Sequence, residues 1–178
     1  SGVDPKTVTA RSLGFGLGPR MNAAGRLETA QHALDMLVAT DGEEALTASE
    51  KLEMLNQKRR GIQDEIFEQA CEQADKLTSD PVLVVNAPDW NHGVIGIVAS
   101  KLVERYKKPT FIIGEHGEEA TGSARSFGDF SAADAVRAAD DVIIRGGGHN
   151  AAAGVTLSVD KISDFRECVN EFYRILKL

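Results

Sequence analysis

Along residues 43–77 the apolar positions recur at steps of three and four. Leu52, Leu55, Ile62, Ile66, Ala70 or Cys71, Ala74 and Leu77 fall on one stripe with Arg59, and the other faces are dense with Glu, Gln and Lys. That spacing predicts one long amphipathic helix. Asp41 is placed to cap it, and Glu43 and Glu44 suit a first turn whose free N–H groups carry partial positive charge. At about 1.5 Å per residue the helix would be roughly 50 Å long. Such a length suits a connector between two lobes, or a surface helix packed on the chain's own core.

Beyond residue 77 the period shortens. "PVLVVN" and "PTFIIG" are short apolar runs that read as strands, with "NHGVIGIVASKLVERY" as the helix between them. "EEATGSARSF" predicts a third strand, and "SAADAVRAADD" a helix opened by a Ser cap. "VIIRGGGH" and "AAAGVTLSV" predict a strand, a glycine turn and a further strand, and "DKISDFRECVNEFYRILKL" a closing amphipathic helix. Strands alternating with helices imply an α/β fold, here a mixed sheet flanked by helices and preceded by the long connecting helix. Residues 1–42 open with a Gly-rich run and close on a short amphipathic stretch, "QHALDMLVAT". Their run "LGFGLGPRMNAAGRLETA" alternates Gly14, Gly16 and Gly18 ahead of Pro19, which matches no dinucleotide-binding fingerprint and predicts an irregular loop. Three parts follow: a Gly-rich segment over 1–42, the helix over 43–77 and an α/β domain over 78–178.

Composition alters this picture little. The chain is 42% hydrophobic and 26% charged, ordinary for a globular protein. No apolar run approaches the roughly 20 residues that cross a bilayer, and no signal peptide is evident. No membrane partner and a cytoplasmic location are therefore expected. Cys71 and Cys168 lack metal-type spacing and read as reduced structural thiols. Net charge is −7, and most of the excess acidity lies in residues 41–80. A generic nucleic-acid coat is unlike this, but a local basic site elsewhere is not excluded.

Four stretches combine small residues with a polar group at loops or element ends, where α/β folds place their sites. In "GSARS", an extended chain puts Ser123 and Arg125 on the same face, beside Ser126. A hydroxyl next to a planar cationic fork suits a terminal phosphate, and an exposed Arg with a capping Ser gives the same letters. In "WNHGVIG", Asn91 caps a helix whose first turn holds His92; the free N–H groups there can receive an anion, or His92 is a plain polar residue. In "NAAGR", Asn22 and Arg26 stand four apart, sharing a helical face, or Arg26 pairs with Glu28 or another acid as a structural clamp. In "RGGGHNAAAG", Gly146, Gly147 and Gly148 strip bulk from the approach to His149. Such a strip admits a bulky anion near an imidazole, or leads into a core histidine.

Taken together and in order, these motifs carry a resemblance. "GGGHNAAAG" looks like the GGGHxxAAG signature of the DHH-associated domain, the C-terminal lobe of the DHH phosphodiesterase superfamily. "LGPRMNAAGRL", "NHGVIGIVASKL" and "GSARS" resemble three further motifs of its RecJ-type branch, the single-stranded-DNA-specific exonucleases. The likeness runs from about Leu13 to the end. It implies the substrate-binding part of a two-lobed 5′-to-3′ exonuclease of DNA recombination and repair, with single-stranded DNA in the cleft. Ser123 and Arg125 would hold the 5′ phosphate, Arg26 would touch the strand backbone, and His149 would stabilise charge at the scissile phosphate. A single-strand-binding protein or a helicase would be a further partner.

The resemblance also implies two divalent ions, Mn2+ or Mg2+, held by Asp and His residues of an N-terminal DHH lobe. This sequence has no Asp-His-His triplet, and His32, His92, His116 and His149 show no ligand spacing. Two-metal cleavage needs carboxylates to fix the ions. The expectation is a fragment that binds substrate, holds no cofactor and is hydrolytically inactive without its partner lobe. The alternatives are a lobe acting on short oligoribonucleotides or cyclic dinucleotides, and a non-catalytic interaction module.

Overall fold

The computed structural model describes residue 4 and residues 6–176, and they divide into two compact units at Ile62–Gln63. In the first unit the Gly-rich run is helical, which corrects the expected irregular loop. Thr9 and Ser12 form a reciprocal cap at α1 (Ala10–Ser12), and a π-helical turn over Leu13–Leu17 leads into α2 (Gly18–Leu27). Pro19 falls in the first turn of α2, where a missing N–H costs nothing, so the wide turn ahead of it absorbs what looked like a helix break. The cost of the glycines is offset by packing. Ala23 and Ala24 are fully buried with Leu52 and Leu55, flanked by Met21 and Leu27. Arg20 adds an ion pair to Glu53 and a bond to the Gly16 carbonyl. After the short α3 (Gln31–Val38) comes α4 (Gly42–Ala74).

The predicted cap of α4 is present: the Asp41 carboxylate accepts the Glu43 and Glu44 N–H groups at 2.8 and 2.9 Å. The helix stops at Ala74, three residues before the expected end, and its last carbonyls are taken up by the tight turn through Leu77.

The second unit, from Gln63, contains a five-stranded sheet in the order β1-β2-β3-β5-β4. Its strands are β1 (Leu83–Pro88), β2 (Thr110–His116), β3 (Glu119–Arg125), β4 (Arg145–His149) and β5 (Ala152–Ser158). β1 and β2 are parallel, joined through α5 (His92–Tyr106), and all other pairs are antiparallel. The sheet has two differently covered faces. On one, Val84, Phe111, Ile113, Ala124, Val155 and Leu157 pack with α6 (Ala132–Ala138) and α7 (Ile162–Leu176). On the other, Leu83, Val85 and Ile112 are buried along with α5 residues Val94, Val98 and Leu102. The α5 helix lies against β2 and β3. The final two positions of the predicted closing helix, 177 and 178, lie outside the described residues.

The two sheet edges are treated oppositely. At β1, Gln73 exchanges bonds with the Asn86 backbone at 2.8 and 3.2 Å, and Arg166 caps the Val84 carbonyl. At β4 all five residues are exposed. The glycine triplet lies inside β4, where a turn was expected; the turn is Asn150–Ala151. Tight packing explains this placement. A Cβ on Gly146 would fall 2.5 Å from Val136 Cγ1 of α6, and Gly148 has φ +154° with its would-be Cβ 2.4 Å from the Ala152 carbonyl oxygen. Both positions exclude a side chain for reasons internal to the fold.

Candidate functional site

Alternation along β3 turns Ala124 into the α6–α7 core, and Ser123 and Arg125 to the α5 face. There Arg125 Nη1 donates to Ser123 Oγ at 3.2 Å and to the Ala124 carbonyl at 2.7 Å, so the cation and the hydroxyl form a single unit. Gly96 of α5 makes room for them. A Cβ there would lie 3.0 Å from Ser123 Oγ and 3.1 Å from Arg125 Nη2.

Register links this pair to the glycine strand. One row across the sheet reads Arg125, Ala152, His149, and the next reads Ser123, Gly154, Gly147. All six share a face, because rows two residues apart repeat the same side. Arg125 and His149 are two strand spacings apart, about 10 Å between backbones. Between them the floor carries one methyl group and two bare backbones. His149, Gly147 and Gly154 are exposed and Ala152 is half-buried. His149 is therefore not a core residue, and it faces the same side as the Ser–Arg pair. A Cβ at Gly147 would meet nothing within 4 Å, so the fold itself does not demand that glycine.

Arg145 was not singled out from sequence, yet it belongs here. It starts β4 on the face of Gly147 and His149, is exposed, and forms no ion pair among the described residues. The signal was available: in an extended chain 145, 147 and 149 point one way, and reading the glycines as a turn concealed it.

Other candidates are placed differently. The Ser126 hydroxyl donates to the Phe130 carbonyl and its N–H to the Ala151 carbonyl, which engages it in holding the loop after β3. Asn91 caps α5 as expected, accepting the Gly93 N–H at 2.9 Å. His92 packs edge-on against His116, with ring centroids 6.4 Å apart. Gly96, the residue set against Ser123 and Arg125, lies one turn of α5 beyond His92, about 6 Å along the helix axis. Asn22 and Arg26 are both exposed on α2, in the first unit. Glu28, the alternative clamp partner, accepts from Lys51 at 2.8 Å and bonds His32 at 3.0 Å. The Lys51 bond, with a lesser one from His32, holds its carboxyl below the ordinary range.

The site's donors suit an anion. A guanidinium, a hydroxyl, an exposed second Arg and one imidazole offer N–H and O–H groups and no carboxylate. They do not fit a divalent cation, which wants several oxygen ligands. No cluster of three or more His, Cys, Asp or Glu side chains arranged to hold a metal occurs among the described residues.

A mixed sheet with a bare, cationic-edged strip and the motif order above defines a class. Residues 79–174 match the model of the DHHA1 domain, and the chain belongs to that family. The resemblance to the RecJ-type enzymes is likewise met. The single-stranded-DNA-specific exonuclease RecJ of Bacillus subtilis is 36% identical over 96% of this chain, which spans 22% of that protein. The crystal structure of RecJ in complex with Mn2+ from Thermus thermophilus superposes with a TM-score of 0.84 at 32% identity, covering 90% of this chain and 24% of that one. A second structure of exonuclease RecJ bound to manganese gives 0.84 and 32% over 94% of this chain and 42% of that chain. This chain thus corresponds to about a quarter of the relatives' length in the first two cases. No helix among the described residues is long and apolar enough to cross a membrane.

Proposed function

We propose that this chain is the phosphate-holding part of a RecJ-like exonuclease that removes nucleotides from the 5′ end of single-stranded DNA. In this reading Ser123 and Arg125 bind the terminal 5′ phosphate, and the strip of Ala152, Gly154 and Gly147 lets the strand lie flat on the sheet. His149 stabilises negative charge on the next phosphate, with Arg145 beside it. Asn22 and Arg26 contact the strand backbone. The Mn2+ or Mg2+ ions belong to residues outside this sequence, in a DHH lobe, so this chain alone binds DNA without cutting it.

One observation carries the reading. A cationic fork and an exposed imidazole occupy the same row and face of one sheet, with only a methyl group between them. An imidazolium or a neutral imidazole N–H at that range can stabilise charge developing on a phosphate. The test is binding of 5′-phosphorylated and 5′-hydroxyl oligothymidylate to the chain. The phosphorylated form should bind at least about fivefold more tightly, as expected of a charged hydrogen-bonded contact. Arg125→Ala should erase that difference. Equal affinities in the unaltered chain would sink the assignment of Ser123 and Arg125.

A further inference from the structure

The loop that follows β3 contains two phenylalanines with opposite fates. Phe130 is buried, 2% exposed, and packs against Phe172 and Tyr173 at 5.9 Å between ring centroids. Phe127 is 42% exposed. With Ser126, Gly128, Asp129, Phe130, Asn150 and Ala151 it lines a cavity of about 470 Å3, a volume within the range of small-ligand sites. The position of this cavity is set by the strands. Ser126 donates its N–H to Ala151, so the β3–β5 pairing runs one step beyond the Arg125–Ala152 pair. Ser126 turns back to Phe130, and Phe127, two residues past Arg125, is the exposed aromatic of the loop between them. Asn150 directly follows His149.

We infer that Phe127 is a stacking platform for the base of the 5′-terminal nucleotide, an extension that rests on the phosphate reading of Ser123 and Arg125. Two residues of chain span at most about 7 Å, so the Phe127 backbone lies within one nucleoside's reach of Arg125. The lining favours a base over a second phosphate, because the Asp129 carboxylate would repel an anion and accepts from an exocyclic amine. Asn150, whose side-chain oxygen already accepts from Ser131 at 3.2 Å, has amide hydrogens to offer a base edge. Every base has a π-face, so such a platform tolerates any sequence.

The test uses the chain with 5′-phosphorylated oligothymidylate carrying 2-aminopurine as its first base, together with the same oligonucleotide made abasic at that position. Binding should quench the 2-aminopurine, and the abasic form should bind about tenfold more weakly. Phe127→Tyr should keep the quench. Phe127→Leu, which retains apolar bulk and removes the ring, should lose it, while the preference for a 5′ phosphate persists. Undiminished quenching in Phe127→Leu, or equal binding of the abasic form, overturns the platform and leaves the phosphate site standing. Loss of the phosphate preference in the unaltered chain, or no binding of either oligonucleotide, overturns the phosphate reading and the platform with it.

Discussion

A methyl group added at Gly148 would fall 2.4 Å from the Ala152 carbonyl oxygen, whereas one added at Gly147 would meet nothing within 4 Å. Gly148→Ala should therefore cost about 2–3 kcal/mol through backbone strain and crowding. Gly147→Ala should stay within about 0.5 kcal/mol of the parent in stability; urea unfolding of the two variants tests the contrast. Gly96 presents the same question for the ligand. An alanine there sits 3.0 Å from Ser123 Oγ and 3.1 Å from Arg125 Nη2, so the guanidinium must move. Gly96→Ala should weaken binding of a 5′-phosphorylated oligonucleotide several-fold and leave 5′-hydroxyl binding unchanged, as titration of both would reveal. At this scale the sequence was informative about neighbours on one strand. Period-two alternation placed Ser123 and Arg125 together. It could not show that His149 shares their row, because that depends on register across β5, and it passed over Arg145 altogether.

Elements were legible where a local signal fixes them. Asp41, Asn91 and Ser131 are caps because each side-chain oxygen satisfies an orphan N–H at its own helix start, a relation confined to a few residues. The helical character of the Gly-rich run was not legible. It arises from the burial of Ala23 and Ala24 with Leu52 and Leu55, some thirty positions on, which overrides local propensity. The Arg20–Glu53 pair between α2 and α4 has a pH signature. The Arg20 hydrogen bond holds the Glu53 carboxyl below the ordinary carboxylate range. A depressed folded-state value contributes stability above the unfolded pKa of about 4.5 that is lost as pH falls through the folded one. Unfolding midpoints measured across pH 3 to 6 should fall on acidification, and Glu53→Gln should flatten that limb. In the second unit, buried Asn170 accepts the Val82 N–H at 3.0 Å and donates to the Arg166 carbonyl at 2.9 Å. Asn170→Leu strands the Val82 N–H in the core and should cost about 1–3 kcal/mol, with the amide of Val82 exchanging faster with deuterium.

For the whole molecule, a formal charge of −7 fits the proposed binding of single-stranded DNA only if few phosphates are touched at once. With two phosphates neutralised at the sheet and one by Arg26, the slope of log affinity against log salt should be shallow, about −2.1 for single strands. A slope several times steeper would place the DNA on a larger basic surface. The division into units at Ile62–Gln63 falls inside α4, so a continuous helix and a change of core coincide. The uninterrupted apolar stripe made the helix readable, and nothing in that stripe marked where one core gives way to another. The uneven cover of the sheet has a practical consequence. Because α5 lies over β2 and β3 while β4 and the exposed Gly154 of β5 stay open to solvent, enlarging Gly147 or Gly154 disturbs no packed neighbour. Expression yield, solubility and melting temperature would all rank such variants as benign, so under the proposed function their defects should surface only in assays that contain DNA.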